Sequence, residues 1–199
     1  YREFYDNTLR LLKSKDLDAF DISKENSATR EKFGLNKFGQ GCLLARRLVE
    51  TGVRFVEVAT DGWDMHNNLE SEMEDLSPPL DQAYSALIAD LEARGLLDET
   101  LVVLATEFGR KPQYSGNGRG HYPICYSSVL AGGGVKRGYV YGSSDQDGAL
   151  PNDPVTVPDL HATIGWAAGL PLQEKFQASS GRPFLVGGDK ANPVMDVFA

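Results

Sequence analysis

The sequence predicts an α/β fold: a mostly parallel sheet flanked by helices. Three observations predict it. Val53–Thr60 (VRFVEVAT) is dense in β-branched residues, which suit a pleated strand. Leu101–Thr106 (LVVLAT) is almost continuously apolar, the pattern of a strand buried on both faces. Between them lies a helical pattern opened by Ser77-Pro78-Pro79, and strand–helix–strand alternation is the mark of parallel pairing through a crossover. With 199 residues the chain is expected to form a single domain over residues 1–199. A chain of roughly that length buries about 70% of its unfolded surface, enough for a sizeable core.

Each element has its own local reason. Tyr1–Lys13 sets Phe4, Tyr5, Leu9 and Leu12 at helical spacing. Lys15–Lys37 is polar and broken and reads as a connection with one helical turn. Gln40–Glu50 carries Leu43, Leu44, Leu48 and Val49, with Arg46 and Arg47 placed outside and Gly52 as the stop. After the first strand, Ser77 caps a helix that has proline at its first position, carries Leu80, Tyr84, Leu87, Ile88 and Leu91, and ends at Gly95. Cys125–Ala131 is a third strand ahead of the glycine run Gly132–Gly134, and Tyr139–Tyr141 a short fourth. Thr156–Gly169 is the last helix, with Thr156 and Asp159 spaced as a capping-box variant. Residues 170–199, rich in Gly and Pro, read as a wrapped tail.

Composition removes several classes. The formal net charge is −8, against the basic footprint of a nucleic-acid binder. No apolar run approaches the roughly 20 residues of a membrane span. Cys42 and Cys125 form no CxxC pair, so neither a disulfide framework nor a cysteine zinc site is expected, and Cys42 sits in a helix facing the core, away from thiol chemistry. The chain opens at Tyr1 directly into a helical pattern with no signal peptide, which reads as a fragment or a processed product. No GxSxG elbow, Walker loop or full dinucleotide fingerprint occurs.

Ligands of open α/β sheets bind beyond the carboxyl ends of strands. Two such ends are polar here. The first strand runs into Asp61-Gly62-Trp63-Asp64-Met65-His66-Asn67-Asn68. The second runs into Glu107-Phe108-Gly109-Arg110-Lys111, and Gly116-Asn117-Gly118-Arg119-Gly120-His121 follows. These loops hold two of the three histidines. Asp64, His66, Glu107 and His121 are therefore the candidate ligands of a divalent metal; imidazole with carboxylate suits zinc, manganese or iron. Asp-x-His also occurs in ordinary turns, and His161, in the first turn of the last helix, has no functional reading. Phe108–Gly142 contains five bases and no acid, which within an acidic protein favours an anionic substrate such as a phosphate or sulfate ester. Arg110 and Arg119 are the candidate oxyanion-neutralising groups, whereas Lys136 and Arg137 read equally as decoration of a hairpin.

Four motifs in one order, Leu44-Ala45-Arg46-Arg47-Leu48-Val49-Glu50, Gly62-Trp63-Asp64-x-His66-x-Asn68, Thr106-Glu107-Phe108-Gly109-Arg110, and His121-x-Pro123 leading to Leu130-Ala131-Gly132-Gly133-Gly134, resemble a bacterial family, the domain of unknown function 1501. Pro158-Asp159-Leu160-His161-Ala162-Thr163 fits it too, and the resemblance covers about residues 36–170. The family is placed in the alkaline phosphatase and sulfatase superfamily. Its members are usually about twice this length and many are exported, so the chain resembles their C-terminal half. The resemblance implies an alkaline phosphatase/sulfatase-like partial domain, a periplasmic or secreted location, and metal-assisted hydrolysis of phosphate or sulfate esters, small or polysaccharide. It implies Asp64, His66 and His121 as ligands of one metal, commonly zinc, and Glu107 as the carboxylate serving a second; we expect Glu107 nearby as a ligand or general base. Phe108 stands where a histidine of the second metal would be, and the superfamily nucleophile belongs to the other half. The expectation is accordingly a metal-dependent ester hydrolase with Glu107, Arg110 and Arg119 at its catalytic site. The rival expectation is a non-catalytic exported binding or scaffold protein on the same fold.

Overall fold

The computed structural model describes residues 2–12 and 14–199, in two compact units, Tyr1–Leu96 and Leu97–Ala199. The first unit is helical. Helix α1 spans Arg2–Leu12, α2 Ser27–Phe33, α3 Lys37–Glu50 and α4 Leu69–Ala93, with 3₁₀ turns at Lys15–Phe20 and Ile22–Lys24. Tyr1 and Lys13, the ends of the expected first helix, lie outside the described residues. Phe4, Tyr5 and Leu9 on α1 are exposed.

Two helices differ from expectation for local reasons. The stretch Lys15–Lys37 holds a whole helix, α2, because Asn26 Oδ1 accepts the Thr29 N–H at 2.8 Å and so caps a new start inside the polar run. Helix α4 begins at Leu69 and runs through Pro78 and Pro79. The two prolines leave the carbonyls of Glu74 and Asp75 without their usual donors. The turn before them forms nonetheless: Asn68 takes the left-handed conformation that opens it, and Glu70 and Glu72 sit favourably at the positive end of the helix. Ser77 thus lies within the helix.

Helix α3 is capped by Asn36, whose side chain accepts the Gly39 N–H at 2.9 Å. It ends as expected at Gly52: the N–H groups of Gly52 and Val53 return to the carbonyls of Val49 and Leu48, a pairing that needs the positive φ of 91° found there. Phe33, Cys42, Leu43, Ala83 and Ala86, from α2, α3 and α4, form the core of this unit, with Phe38, Val58 and Leu87 against it. Burial pushes the Cys42 thiol up to about 11. Native protein at pH 8 should therefore alkylate at Cys125 and spare Cys42 until unfolded; equal labelling of both in a mass-mapped digest would contradict this packing.

Arg46, expected outside, is 1% exposed. Its guanidinium meets Glu25 at 2.7 Å, Glu50 at 2.6 Å and Asp90 at 2.9 Å, while Arg47 shares Glu25 at 2.6 Å.

The second unit carries the strands and one helix. β1 (Val102–Leu104) pairs with β4 (Val129–Ala131), β2 (Gly109–Arg110) with β3 (His121–Tyr122), β5 (Ser143–Ser144) with β6 (Pro151–Asn152), and β7 (Phe176–Gln177) with β8 (Pro183–Phe184). Among the described residues every one of these pairings is antiparallel. The mixture of helix and strand is as expected, but the pairing differs from the expected parallel order. Between β1 and β4 the chain supplies a hairpin and loops, with no crossover helix. Tyr139–Tyr141 is not a strand; the pairing residues are Ser143–Ser144. Val53–Thr60, in the first unit, forms no ladder among the described residues, and its Val53 and Phe55 are exposed.

Helix α5 (Val157–Ala167) is opened by the expected capping box. Thr156 Oγ1 accepts the Asp159 N–H at 3.2 Å and Asp159 Oδ2 accepts the Thr156 N–H at 3.4 Å. The tail wraps onto this helix: Asn192 N–H donates to Asp159 Oδ1 at 2.8 Å, Val194 N–H to Thr163 Oγ1 at 2.9 Å, and the Trp166 and Phe198 rings pack at 4.6 Å.

Candidate functional site

The residues selected from the sequence stand on one loop of each unit. In the first unit the chain leaves Val53–Thr60 through Gly62. This glycine has φ 97°, and a Cβ on it would stand 3.0 Å from Leu76 Cδ1 of α4. Beyond it, Asp64 and His66 are exposed while Met65 between them is buried. That alternation anchors the loop by the buried Met65 side chain and presents the two polar groups to solvent. His66 Nε2 lies 3.2 Å from Asp64 Oδ1, and the His66 N–H donates to the Asp64 carbonyl at 3.0 Å. A cleft of about 260 Å³ opens here; Gly62, Asp64, Met65, His66, Asn67 and Glu72 are among its lining residues. The Asn68 carbonyl accepts from Glu72 N–H at 3.0 Å and Ser71 Oγ at 3.1 Å, tying the loop to the start of α4.

In the second unit the site residues lie on and beside the β2–β3 hairpin. Arg110 is the register partner of His121, and Gly109 of Tyr122, so Arg110 and His121 leave the same face of the ladder. The Lys111 N–H donates to the Gly120 carbonyl at 2.9 Å and extends the pairing. Phe108 packs its ring on His121, centroids 4.6 Å apart and planes at 44°, and the Arg110 guanidinium carbon lies 5.6 Å from the same ring. Glu107 is exposed, with Oε1 3.7 Å from Arg110 Nη2, a surface pair of the kind worth about 0–1 kcal/mol and readily exchanged. Arg119 is set apart in the hairpin loop, its guanidinium 5.1 Å from the Tyr114 ring centroid beside the Ser115–Gly118 bridge.

The hairpin depends on Gly109, where a Cβ would stand 2.2 Å from the Cys125 carbonyl oxygen. Gly109→Ala should therefore displace β2 and cost roughly 1–3 kcal/mol, as overpacking does. Thermal unfolding would show it, and an unchanged midpoint would contradict the close approach.

Three points escaped the sequence. Phe108, which cannot bind metal, is the aromatic wall of His121. Tyr114 supports Arg119. Met65 is the anchor between the two polar residues of Asp-x-His, and its apolar character in a polar loop was the available signal. Asp64, His66 and His121 are exposed and of the types that could hold a metal ion. The donor chemistry fits. Two ligands of a tetrahedral zinc at about 2.0–2.1 Å stand roughly 3.3 Å apart. The Asp64–His66 separation of 3.2 Å matches that edge.

A family model described as a protein of unknown function (DUF1501) matches residues 1–198. No curated protein and no solved structure matches the chain.

Proposed function

The chain belongs to the DUF1501 family, and on that premise we propose that it acts as a metal-dependent hydrolase of anionic phosphate or sulfate esters. The observation that carries this reading is the exposed Asp64–His66 pair, 3.2 Å apart among the residues lining a cleft. His121 would complete the set around one divalent cation, zinc first, with manganese or iron suited to the same donors. Glu107 would serve as a further ligand or as general base. When bound, such a cation polarises an ester oxygen and makes a bound water a nucleophile near neutral pH.

The chain's own residues have separate tasks. Arg110, held on the ladder opposite His121, would neutralise charge developing on the ester oxyanion, and the weak Glu107 contact is easily given up to a substrate anion. Arg119, stacked on Tyr114, would supply a second cation whose side chain is already ordered. Phe108 fixes the plane of the His121 imidazole by direct packing. The alkaline phosphatase/sulfatase-like fold with a mostly parallel sheet belongs to the same proposal. Its support is the β-branched run Val53–Thr60, a strand-forming sequence that leads into the Asp64–His66 loop. An exported location is proposed on the family resemblance alone.

The test joins elemental analysis of purified protein to a phosphate and sulfate monoester panel. About one equivalent of zinc, manganese or iron together with turnover is the expected outcome; a metal-free protein inert on every ester would remove the reading. One observation favours the rival, a binding or scaffold protein. The position where a second-metal ligand is expected holds Phe108, and its ring is engaged with His121.

A further inference from the structure

After β4 the glycine run leads into residues 135–142, a segment fixed at its base and open at its tip. The Lys136 N–H donates to the Val197 carbonyl at 2.8 Å and the Ala199 N–H to the Gly134 carbonyl at 3.0 Å, so the tail holds the base. Gly138 and Gly142, with φ of 68° and 69°, bracket Tyr139-Val140-Tyr141. These three side chains are 47%, 81% and 38% exposed. The Lys136 ammonium lies 5.2 Å from the Tyr139 ring centroid and donates to the Asp196 carbonyl at 2.9 Å, which fixes it beside the ring. Arg137 adds a second positive charge. No acid occurs between Phe108 and Gly142, in a chain of net charge −8. The next acid, Asp145, uses its Oδ1 to accept the Ala149 N–H at 2.7 Å.

We propose that Lys136–Tyr141 is a docking strip for an anionic polysaccharide, a sugar chain bearing sulfate or carboxylate groups. The inference does not rest on the metal reading. A sugar ring presents polarised C–H groups on its face, and these pack against the electron-rich face of an aromatic ring. A cation beside the ring meets the anionic substituent of the same sugar, and Lys136 beside Tyr139 provides that pairing. Local positive charge on an otherwise acidic chain makes the strip complementary to the polymer where the rest of the chain repels it. A lipid surface is a poorer fit. Val140 is the single aliphatic group of the tip, too little apolar surface for stable anchoring. Nucleic acid is poorer still, because its affinity comes from many phosphate contacts and the strip offers two cations.

The test is calorimetric titration of the full chain with dextran sulfate, beside uncharged dextran and vesicles of mixed neutral and anionic phospholipid. Two double variants are compared, Tyr139→Ala with Tyr141→Ala, and Lys136→Gln with Arg137→Gln, each verified as folded by circular dichroism. Binding of dextran sulfate is expected in the wild type and should weaken roughly tenfold or more in both variants. Uncharged dextran and the vesicles should bind at least that much more weakly than the sulfated polymer. Absence of wild-type binding, unchanged affinity in either variant, or equal binding of dextran or vesicles overturns the proposal. Metal content and hydrolysis of a small aryl sulfate, measured on the same variants, should stay at wild-type values, so the strip and the metal centre fail or stand separately.

Discussion

His66→Ala is expected to strip the proposed divalent cation from the protein and to abolish hydrolysis of phosphate and sulfate monoesters. The imidazole is one of three proposed first-sphere donors, and its removal leaves a carboxylate and one histidine, too few to hold zinc against buffer. Disturbing a group that merely orients a ligand already costs 10–100-fold in affinity, so loss of a ligand should cost more than about 100-fold. Elemental analysis after gel filtration reads this directly, with ester turnover as the second readout. His161→Ala is the matched control, since His161 is an exposed imidazole on α5 outside the proposed set. It should retain metal and activity. His121→Ala should behave as His66→Ala does. If His66→Ala loses metal while His121→Ala keeps it, the ligand set is confined to the Asp64–Asn68 loop and the first turn of α4; full retention by His66→Ala sinks the assignment altogether.

The loops of the candidate site were legible as polar segments beside the strands. Asp64, His66, Glu107 and Arg110 could be chosen because each closely follows a run of β-forming residues, where ligands of α/β sheets bind, and His121 because a glycine-rich loop beyond the second run carries it. Where those runs pair was not legible. Val102–Leu104 is apolar enough for either a parallel or an antiparallel neighbour, and its partner was decided by residues 105–128, which turn back as a hairpin rather than forming a crossover helix. Capping was legible at Gly52, Gly95 and the Thr156–Asp159 box, which act as their residue types predict, but not at Asn26, whose side chain starts α2 inside a polar run. The start of α4 was not. Ser77-Pro78-Pro79 is a strong start signal, and it was outweighed by good helix formers before it and by the left-handed Asn68. Arg46 shows a different failure. Gly39, Cys42, Leu43 and Arg46 follow the spacing i, i+3, i+4, i+7 and lie on one buried stripe of α3. The expected apolar set, Leu43, Leu44, Leu48 and Val49, shares only Leu43 with that stripe, and the usual exposure of arginine hides Arg46's place on it.

That buried arginine gives the largest expected loss of stability. Arg46→Ala should cost about 3–5 kcal/mol, the usual penalty for breaking a buried ion pair from one side. For a chain of this size that corresponds to roughly 6–20 °C in midpoint. Glu25 and Asp90 would remain half-enclosed, each keeping one other guanidinium, Arg47 and Arg94 respectively. Arg46→Lys should recover only part of the loss, because one ammonium cannot reproduce the planar guanidinium that donates to Glu25 and Glu50 from separate nitrogens while lying 2.9 Å from Asp90. The pH dependence has a definite sign. Desolvation raises the Glu25 pKa, and the hydrogen bonds and charges of Arg47 and Arg46 outweigh it, holding the carboxyl below its ordinary 4.5. A depressed folded value means stability that is fully present above about pH 4.5 and is lost as pH falls through the folded pKa. In Arg46→Ala the Glu25 pKa should rise toward the ordinary value, so the variant should lose less stability than wild type on acidification and the two unfolding curves should converge below pH 4. Parallel curves at every pH would mean that Arg46 acts through packing volume and not through its charge. A midpoint for Arg46→Ala within about a degree of wild type would show that the network contributes nothing to the helical unit.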